Sequence, residues 1–205
     1  GNCQLGCYFF GQTHSKIKMT DILVEKTFQR IKKTVEDNKY KLLGITWYGG
    51  EPLLASSNIL SFSDKIVDYC ITNNITYQAD IISNGLLLKP ELFKTLITQC
   101  KINNYQITLD GIKEFHDKRR MTKGGEGSFD IIMKNIYDCI NSDVFNDFKP
   151  AITIRININH ENVSSVESLI DQKGFVIMLD DINKGNIEYV RKYLDSDLFL
   201  FTDNS

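Results

Sequence analysis

Two cysteines, Cys3 and Cys7, stand four apart in the run GNCQLGCYFFGQ. Core cysteines seldom occupy a Gly-flanked segment of this kind, whereas thiolates that hold a metal or cluster often do. Other polar groups collect where short apolar runs end. KLLGITWY is followed by GGEP (49–52), TYQADII by SNG (83–85), and YQITL by Asp110-Gly111 and then HDKRRMTKGGEGS. PAITIRINI carries Arg155 and Asn157 near its end, with His160 and Asn162 beyond. In GGEP, Gly49 and Gly50 remove side chains where a ligand must approach the backbone. Bared strand-end carbonyls, with Glu51 beside them, suit a cationic amino group, and Pro52 stiffens the exit. Standing alone, GGEP is equally a tight turn, and Asn84-Gly85 and Asp110-Gly111 are ordinary turn signals. Arg120 could clamp a carboxylate through paired N–H groups, or lie as a solvated charge among Lys118, Arg119 and Lys123.

Those groups need a scaffold that brings four strand ends to one side. DILVEKTFQRIKKTVEDN (21–38) places Ile22, Leu23, Phe28, Ile31 and Val35 roughly at helical spacing, with Asp21 in the first turn. KLLGITWY (41–48) is short, apolar and β-branched and predicts a buried strand. Residues 58–73 return to helical period, and 76–83 predict a strand. PELFKTLITQC (90–100) opens a helix on Pro90 and Glu91. A strand is expected over 105–109, then a helix over 128–140 with Ser128 as N-cap. The pattern continues as strand 150–158, helix 162–172, strand 175–179, helix 186–196 and strand 197–201. Such alternation predicts a parallel α/β sheet wrapped by helices through right-handed crossovers. In folds of this class ligands bind beyond the carboxyl ends of the strands, where the polar loops gather.

The bulk numbers are consistent with one α/β domain and exclude little else. The 205 residues are 42% apolar and 24% charged, with a formal net charge of −2. That balance gives no reason to expect a nucleic-acid or anionic-membrane partner. No apolar run approaches membrane-spanning length and no signal peptide is visible, so a cytoplasmic setting is expected. The five cysteines are odd in number and scattered, which suits a reducing compartment better than a disulfide framework. Cys70, Cys100 and Cys139 fall beside apolar neighbours near helix ends and read as small buried hydrophobes. The chain begins with Gly rather than Met, so an upstream segment is expected to be missing.

Taken together, CQLGC, WYGGEPLL, IISNGLLL, YQITLDGIKEFHDKRRMTKGGEGSFDIIMKNI and ITIRININHEN resemble the radical S-adenosylmethionine enzymes. More narrowly they resemble the anaerobic sulfatase-maturating and peptide-modifying, SPASM-type branch. The resemblance implies a partial (β/α)6 TIM-like barrel of parallel strands whose first strand is missing before Gly1. It implies a radical SAM core over 1–172, truncated at its N-terminus, and an atypical tail of final βα units over 173–205. It also implies a [4Fe–4S] cluster whose open iron takes S-adenosylmethionine, reductive cleavage of that cofactor, and hydrogen abstraction from a peptide or protein side chain. An electron donor is a further implied partner. By position, Cys3 and Cys7 match two cluster ligands, and Gly49, Gly50 and Glu51 match the motif that holds the methionine amino group. Ser83 and Asn84 match an element lining the cofactor site, as do Thr108 and Asn157. Arg120 matches a residue that reaches the cofactor carboxylate.

The sequence departs from the family pattern in one place that bears directly on chemistry. The family's third cluster cysteine is expected at position 10, which is Phe10. Alternatively, residues between Cys7 and Tyr8 have been deleted; both alignments leave two thiolates, where the family uses three plus the cofactor. His14 reads as an exposed loop histidine, although a zinc site from Cys3, Cys7 and His14 is a conceivable alternative. His116 and His160 match family positions outside the cluster and are expected to have no ligand role. The cysteine-rich extension of the family's maturases is absent from the sequence. The stretch around Asp180 and Asp181 faintly resembles a metal-binding segment of EAL-type cyclic-dinucleotide phosphodiesterases, without the EAL signature. A catalytically impaired or non-catalytic fragment that keeps the fold, and a SAM pocket with it, is therefore the alternative to an active enzyme.

Overall fold

The computed structural model describes residues 3–7, 19–157, 161–162, 164–166, 168–169 and the backbone of 177–180. Helix α1 spans Asp21–Asn38; Thr20 caps it by accepting from Leu23 N, and Lys39 closes it in the left-handed conformation at φ 56°. Strand β1 (Leu42–Trp47) leads through a 3₁₀ turn at Pro52–Ala55 into α2 (Ser56–Thr72) and β2 (Thr76–Ser83). Helix α3 (Pro90–Thr98) starts on its proline and precedes β3 (Ile102–Thr108). Three helices follow, α4 (Lys113–Arg119), α5 (Phe129–Ile140) and α6 (Asp143–Phe148), before β4 (Ala151–Asn157) and β5 (Ile177–Asp180).

The five strands form one open parallel sheet in the order β1-β2-β3-β4-β5. Strand order equals chain order, so each crossover moves the chain one place along and delivers every strand's carboxyl end to the same edge. One face is apolar. Ala79, Ile81, Tyr105, Ile107, Ile154 and Ile156 pack there against Phe93, Leu96 and Ile97 of α3 and Ile132 and Ile136 of α5. A second cluster joins Val24 and Val35 of α1 to Phe62, Ile66 and Cys70 of α2, with Leu43, Ile45 and Trp47 packed against it. Cys70, Cys100 and Cys139 are buried and unbridged, as their apolar neighbours predict.

Several expectations need correction. Strand β1 is not buried on both faces: Leu43, Ile45 and Trp47 are half-buried while Leu42, Gly44 and Thr46 are exposed. Helices cover one face, and within the described sheet β1 is an edge that pairs with β2 alone. Strand β3 begins at Ile102 rather than 105, because its polar Asn103 and Asn104 hide its first residues from an apolar-run reading. Helices α4 and α6 were not legible in the hydrophobic pattern; α4 buries one side chain, His116. Ser128 holds the N-cap position of α5 but makes no side-chain cap bond. Asp117 Oδ1 does that work from α4, accepting from Ser128 N and Phe129 N at 2.8 Å each. Of the expected 162–172 helix, 164–166 and 168–169 are described and helical. Helix 186–196, strand 197–201, Phe10, His14, His160 and Asp181 lie outside the described residues.

Tyr105 is fully buried against Phe93, ring centroids 4.9 Å apart, and its hydroxyl has no hydrogen-bond partner among the described residues. Removing an unpaired buried hydroxyl relieves its desolvation cost. Tyr105→Phe should leave unfolding free energy unchanged or raise it by up to about 1 kcal/mol in urea titration. A loss larger than about 1 kcal/mol would contradict this packing.

Candidate functional site

At the strand-end edge, Glu51 is the first organising group. Its Oε1 accepts from Leu53 N at 3.0 Å and from Ser83 Oγ at 2.8 Å, and its Oε2 accepts from Asn84 N at 2.8 Å. The carboxylate therefore ties the loop after β1 to the loop after β2. It is buried, and burial pushes its pKa up, opposed by the bonds from Asn84, Leu53 and Ser83. A carboxylate with three such donors is a structural clasp before it is a receptor. Gly49, at φ +152°, and Gly50 are exposed and offer bare backbone beside it. Ser83 Oγ also accepts from Gly85 N, and Asn84 Oδ1 accepts from Leu86 N, so the SNG turn is fixed by its own side chains. Gly85 sits at φ +76°, and a Cβ there would lie 2.8 Å from Ile107 Cγ2, so both conformation and space require glycine.

The second organising group is Asp110, fully buried just past β3. Its Oδ2 accepts from Arg120 Nε at 2.6 Å. Its Oδ1 accepts from Asn157 N and Nδ2 at 3.2 and 3.3 Å, at the end of β4. Its carbonyl accepts from Asn162 Nδ2, which also reaches Asn157 O. Gly111 lets Ser165 press in, since a Cβ there would meet Ser165 Oγ at 2.1 Å. Arg120 is 6% exposed, so the solvated-charge reading of this residue is overturned. Thr108, also buried, stands level with Arg155 across β3 and β4.

The cysteine segment is laid onto this frame. Leu5, fully buried, forms an antiparallel bridge with Thr122. Gly6 N donates to Met121 O, and Lys123 N to Gln4 O. The residues just after Arg120 thus position Cys3 and Cys7. Asn84 Nδ2 lies 3.6 Å from Cys3 Sγ, and Arg120 Nη1 lies 3.9 Å from Cys7 Sγ. Burial pushes the Cys7 thiol up; Arg120 pulls it down, and Cys3 and Asp110 push it further up. The structure brings Cys3, Glu51, Ser83 and Asn84 into one group and Cys7, Asp110, Arg120 and Asn157 into another. Among the described residues no three His, Cys, Asp or Glu side chains form a metal site. Two cysteine sulfurs with an N–H donor beside each match the chemistry of a cluster edge, and among the described residues they fall one short of three.

Motif reading did not mark Asp110, His116, Asp117 or Asn162 as positioning groups. One available signal was an Asp directly after an apolar strand and ten residues before an Arg. His116 is fully buried; its Nδ1 accepts from Asp110 N at 3.2 Å and its Nε2 faces Ser128 Oγ at 2.9 Å. Ser128 Oγ in turn donates to Arg120 O at 2.6 Å. Both ring nitrogens are thereby engaged by a neutral imidazole. Burial, helped by Arg120, lowers its pKa to about 4. The unfolded chain takes up the proton near pH 6.5, so stability is fully present above that value and falls as pH drops toward about 4. The loss should reach about 3 kcal/mol at most and should disappear in His116→Asn, read by urea titration across pH 7 to 4. An identical pH dependence in that variant would contradict a buried neutral His116.

With this geometry in hand, comparison with known proteins is informative. The family model described as "Radical SAM superfamily" matches residues 1–172. A cysteine-type anaerobic sulfatase-maturating enzyme of Clostridium novyi (strain NT) is 26% identical over 174 residues, covering 82% of this chain and 44% of that enzyme. An Fe-coproporphyrin III synthase of Methanosarcina barkeri is 29% identical over 94 residues, 46% of this chain and 21% of that one. Among solved structures, anSMEcpe with bound AdoMet and Kp18Cys peptide superposes with a TM-score of 0.67 at 20% identity, over 87% of this chain and 48% of that one. Streptococcus suis SuiB bound to S-adenosylmethionine gives 0.56 at 15% identity, over 98% of this chain and 48% of that one. Those structures share its open parallel α/β fold, the partial TIM-like architecture. The chain spans about half the length of the enzymes just named for which most of it aligns. Members of the matched family use a [4Fe–4S] cluster and S-adenosylmethionine. The strand-end clasp at Glu51, the Asp110–Arg120 pair and the paired thiols are the local features of a chain that, by a match covering most of its length, belongs to the radical SAM superfamily.

Proposed function

We propose that this chain is the core of a radical S-adenosylmethionine enzyme acting on a peptide or protein side chain, with an external reductant as electron donor. The observation that carries this reading is the convergence of Cys3 and Cys7 on the loops held by Glu51 and Asp110, with Asn84 and Arg120 beside the two sulfurs. Cys3 and Cys7 would ligate the cluster. When bound, cluster and cofactor together supply reductive cleavage of S-adenosylmethionine and a carbon radical that takes a substrate hydrogen atom.

The chain's own residues then have separable tasks. The bare backbone at Gly49 and Gly50 receives the cofactor's amino group, while Glu51 holds that backbone in place from behind. Ser83, Asn84, Thr108 and Asn157 line the remaining strand ends. Arg120 keeps one face of its guanidinium on Asp110 and turns Nη1 toward Cys7, which places positive charge where thiolate and carboxylate would gather. The peptide class is supported by relatives whose structures hold a Kp18Cys peptide and the precursor peptide SuiA.

One observation favours a second reading, a non-catalytic member that keeps the fold. The sequence has Phe10 at the position expected for a third ligand, and the described donors number two. Iron and sulfide content after anaerobic reconstitution separates the two. The enzyme reading predicts about four irons per chain, and loss of most of that iron in Cys3→Ala and in Cys7→Ala. Iron well below one cluster per chain, or iron content indifferent to both substitutions, would favour the non-catalytic reading.

A further inference from the structure

Helix α5 turns one face to the apolar core, and that face carries Ile132, Asn135, Ile136 and Cys139, all buried. Asn135 is the exception among them, a primary amide with no exposed surface in an otherwise apolar stripe. Burying such a group costs free energy unless its donors and its acceptor are met. They are met, and every partner lies in the segment between β2 and α3. Asn135 Nδ2 donates to Gly85 O at 2.9 Å and to Leu86 O at 3.0 Å, and its Oδ1 accepts from Lys89 Nζ at 2.8 Å. Cys139, one turn further along α5, donates its thiol to Leu88 O at 3.6 Å. The segment forms neither helix nor strand, and no backbone N–H reaches Leu86 O, so α5 supplies the donor. Packing alone does not call for an amide at this position, because leucine suits both the helix and its apolar face.

The Gly85 carbonyl and the Leu86 N–H belong to one planar peptide unit. Its oxygen is held by Asn135, and its N–H donates to Asn84 Oδ1 at 3.0 Å. With Oδ1 committed there, the Asn84 amide presents Nδ2 on its other side, 3.6 Å from Cys3 Sγ. The Asn84 backbone N–H is fixed separately, by Glu51 Oε2 at 2.8 Å. The Gly85–Leu86 peptide therefore sets the orientation of the Asn84 side chain, and Asn135 sets the peptide. From this relay we propose that Asn135 is a positioning residue for the site, one that aims the Asn84 N–H at the Cys3 sulfur from a different helix. It bonds to neither cysteine and acts only through the turn. The proposal rests on the radical reading for calling Cys3 a cluster ligand; the aim of the amide is a property of the metal-free chain.

Two readouts test it. In the metal-free full chain, heteronuclear NMR follows the side-chain amide signals of Asn84, and Cys3→Ala marks where they fall once the sulfur is removed. Asn135→Leu should move those signals toward their Cys3→Ala position, while the backbone amide signals of α1 and β1 stay where they are. Asn135→Asp keeps an acceptor for Lys89 and loses both donors, so it should act as Asn135→Leu does. It keeps the test decisive should the leucine variant fail to fold. In the anaerobically reconstituted chain, loss of an N–H donor to a ligand sulfur disfavours the more negative, reduced cluster. The midpoint potential should therefore fall in Asn84→Ala and in Asn135→Leu, and the double variant should fall no further than Asn84→Ala alone. Asn84 signals unmoved in both Asn135 variants, or potential shifts that add in the double variant, would each overturn the proposal. A chain that takes up no iron would lose the radical reading, and the Asn84 signals would still decide this one.

Discussion

A carboxylate and a guanidinium removed from water must satisfy each other and every remaining lone pair, or the fold pays several kcal/mol for each ion. Asp110 and Arg120 meet that constraint, and most of the strand-end edge is arranged around it. Arg120 alone uses one carboxylate oxygen; the other is filled by Asn157 from the end of β4. Because the pair is buried, its partners cannot drift, and three loops that are remote in sequence are locked in register. The backbone just beyond Arg120 then carries the bridge at Leu5, so the cysteine segment inherits its position from a salt bridge.

The Glu51 clasp applies the same logic on the other side. An acidic side chain next to two glycines reads as a receptor for a cation, and in the fold it is filled by Leu53, Ser83 and Asn84. What it leaves for a ligand is backbone, held rigid at a position where Gly49 adopts φ +152°. Both clasps place an N–H donor beside a sulfur, Asn84 at Cys3 and Arg120 at Cys7. At Cys7, burial pushes the thiol up and Arg120 partly offsets it, in the direction a ligating sulfur requires. The site is thus prepared by hydrogen bonds made before any cofactor arrives.

The sequence made the alternation legible, and α1 and β2 match their expected limits, because periodicity of 3.6 or 2 is a property of consecutive residues. It did not show that β1 is open on one face, since an apolar run says nothing about how many layers cover it. Helix α4 escaped for a different reason: His116, Asp117 and Ser128 hold it through polar contacts, so no apolar stripe announces it. The motifs marked the candidate residues, while the hydrogen bonds that join them were not legible. Asp110-Gly111 looks like a turn until Arg120, Asn157 and Asn162 are brought around it by tertiary structure.

The central claim is the proposal that Cys3 and Cys7, held by these clasps, ligate a cluster that supports radical chemistry on S-adenosylmethionine. The most direct test is to quantify 5′-deoxyadenosine and methionine released from S-adenosylmethionine by the anaerobically reconstituted chain under a strong one-electron reductant. Equimolar release of both products, dependent on reductant and abolished in Cys3→Ala and Cys7→Ala, is the predicted result. A reconstituted chain that carries iron and sulfide yet releases neither product would contradict the account.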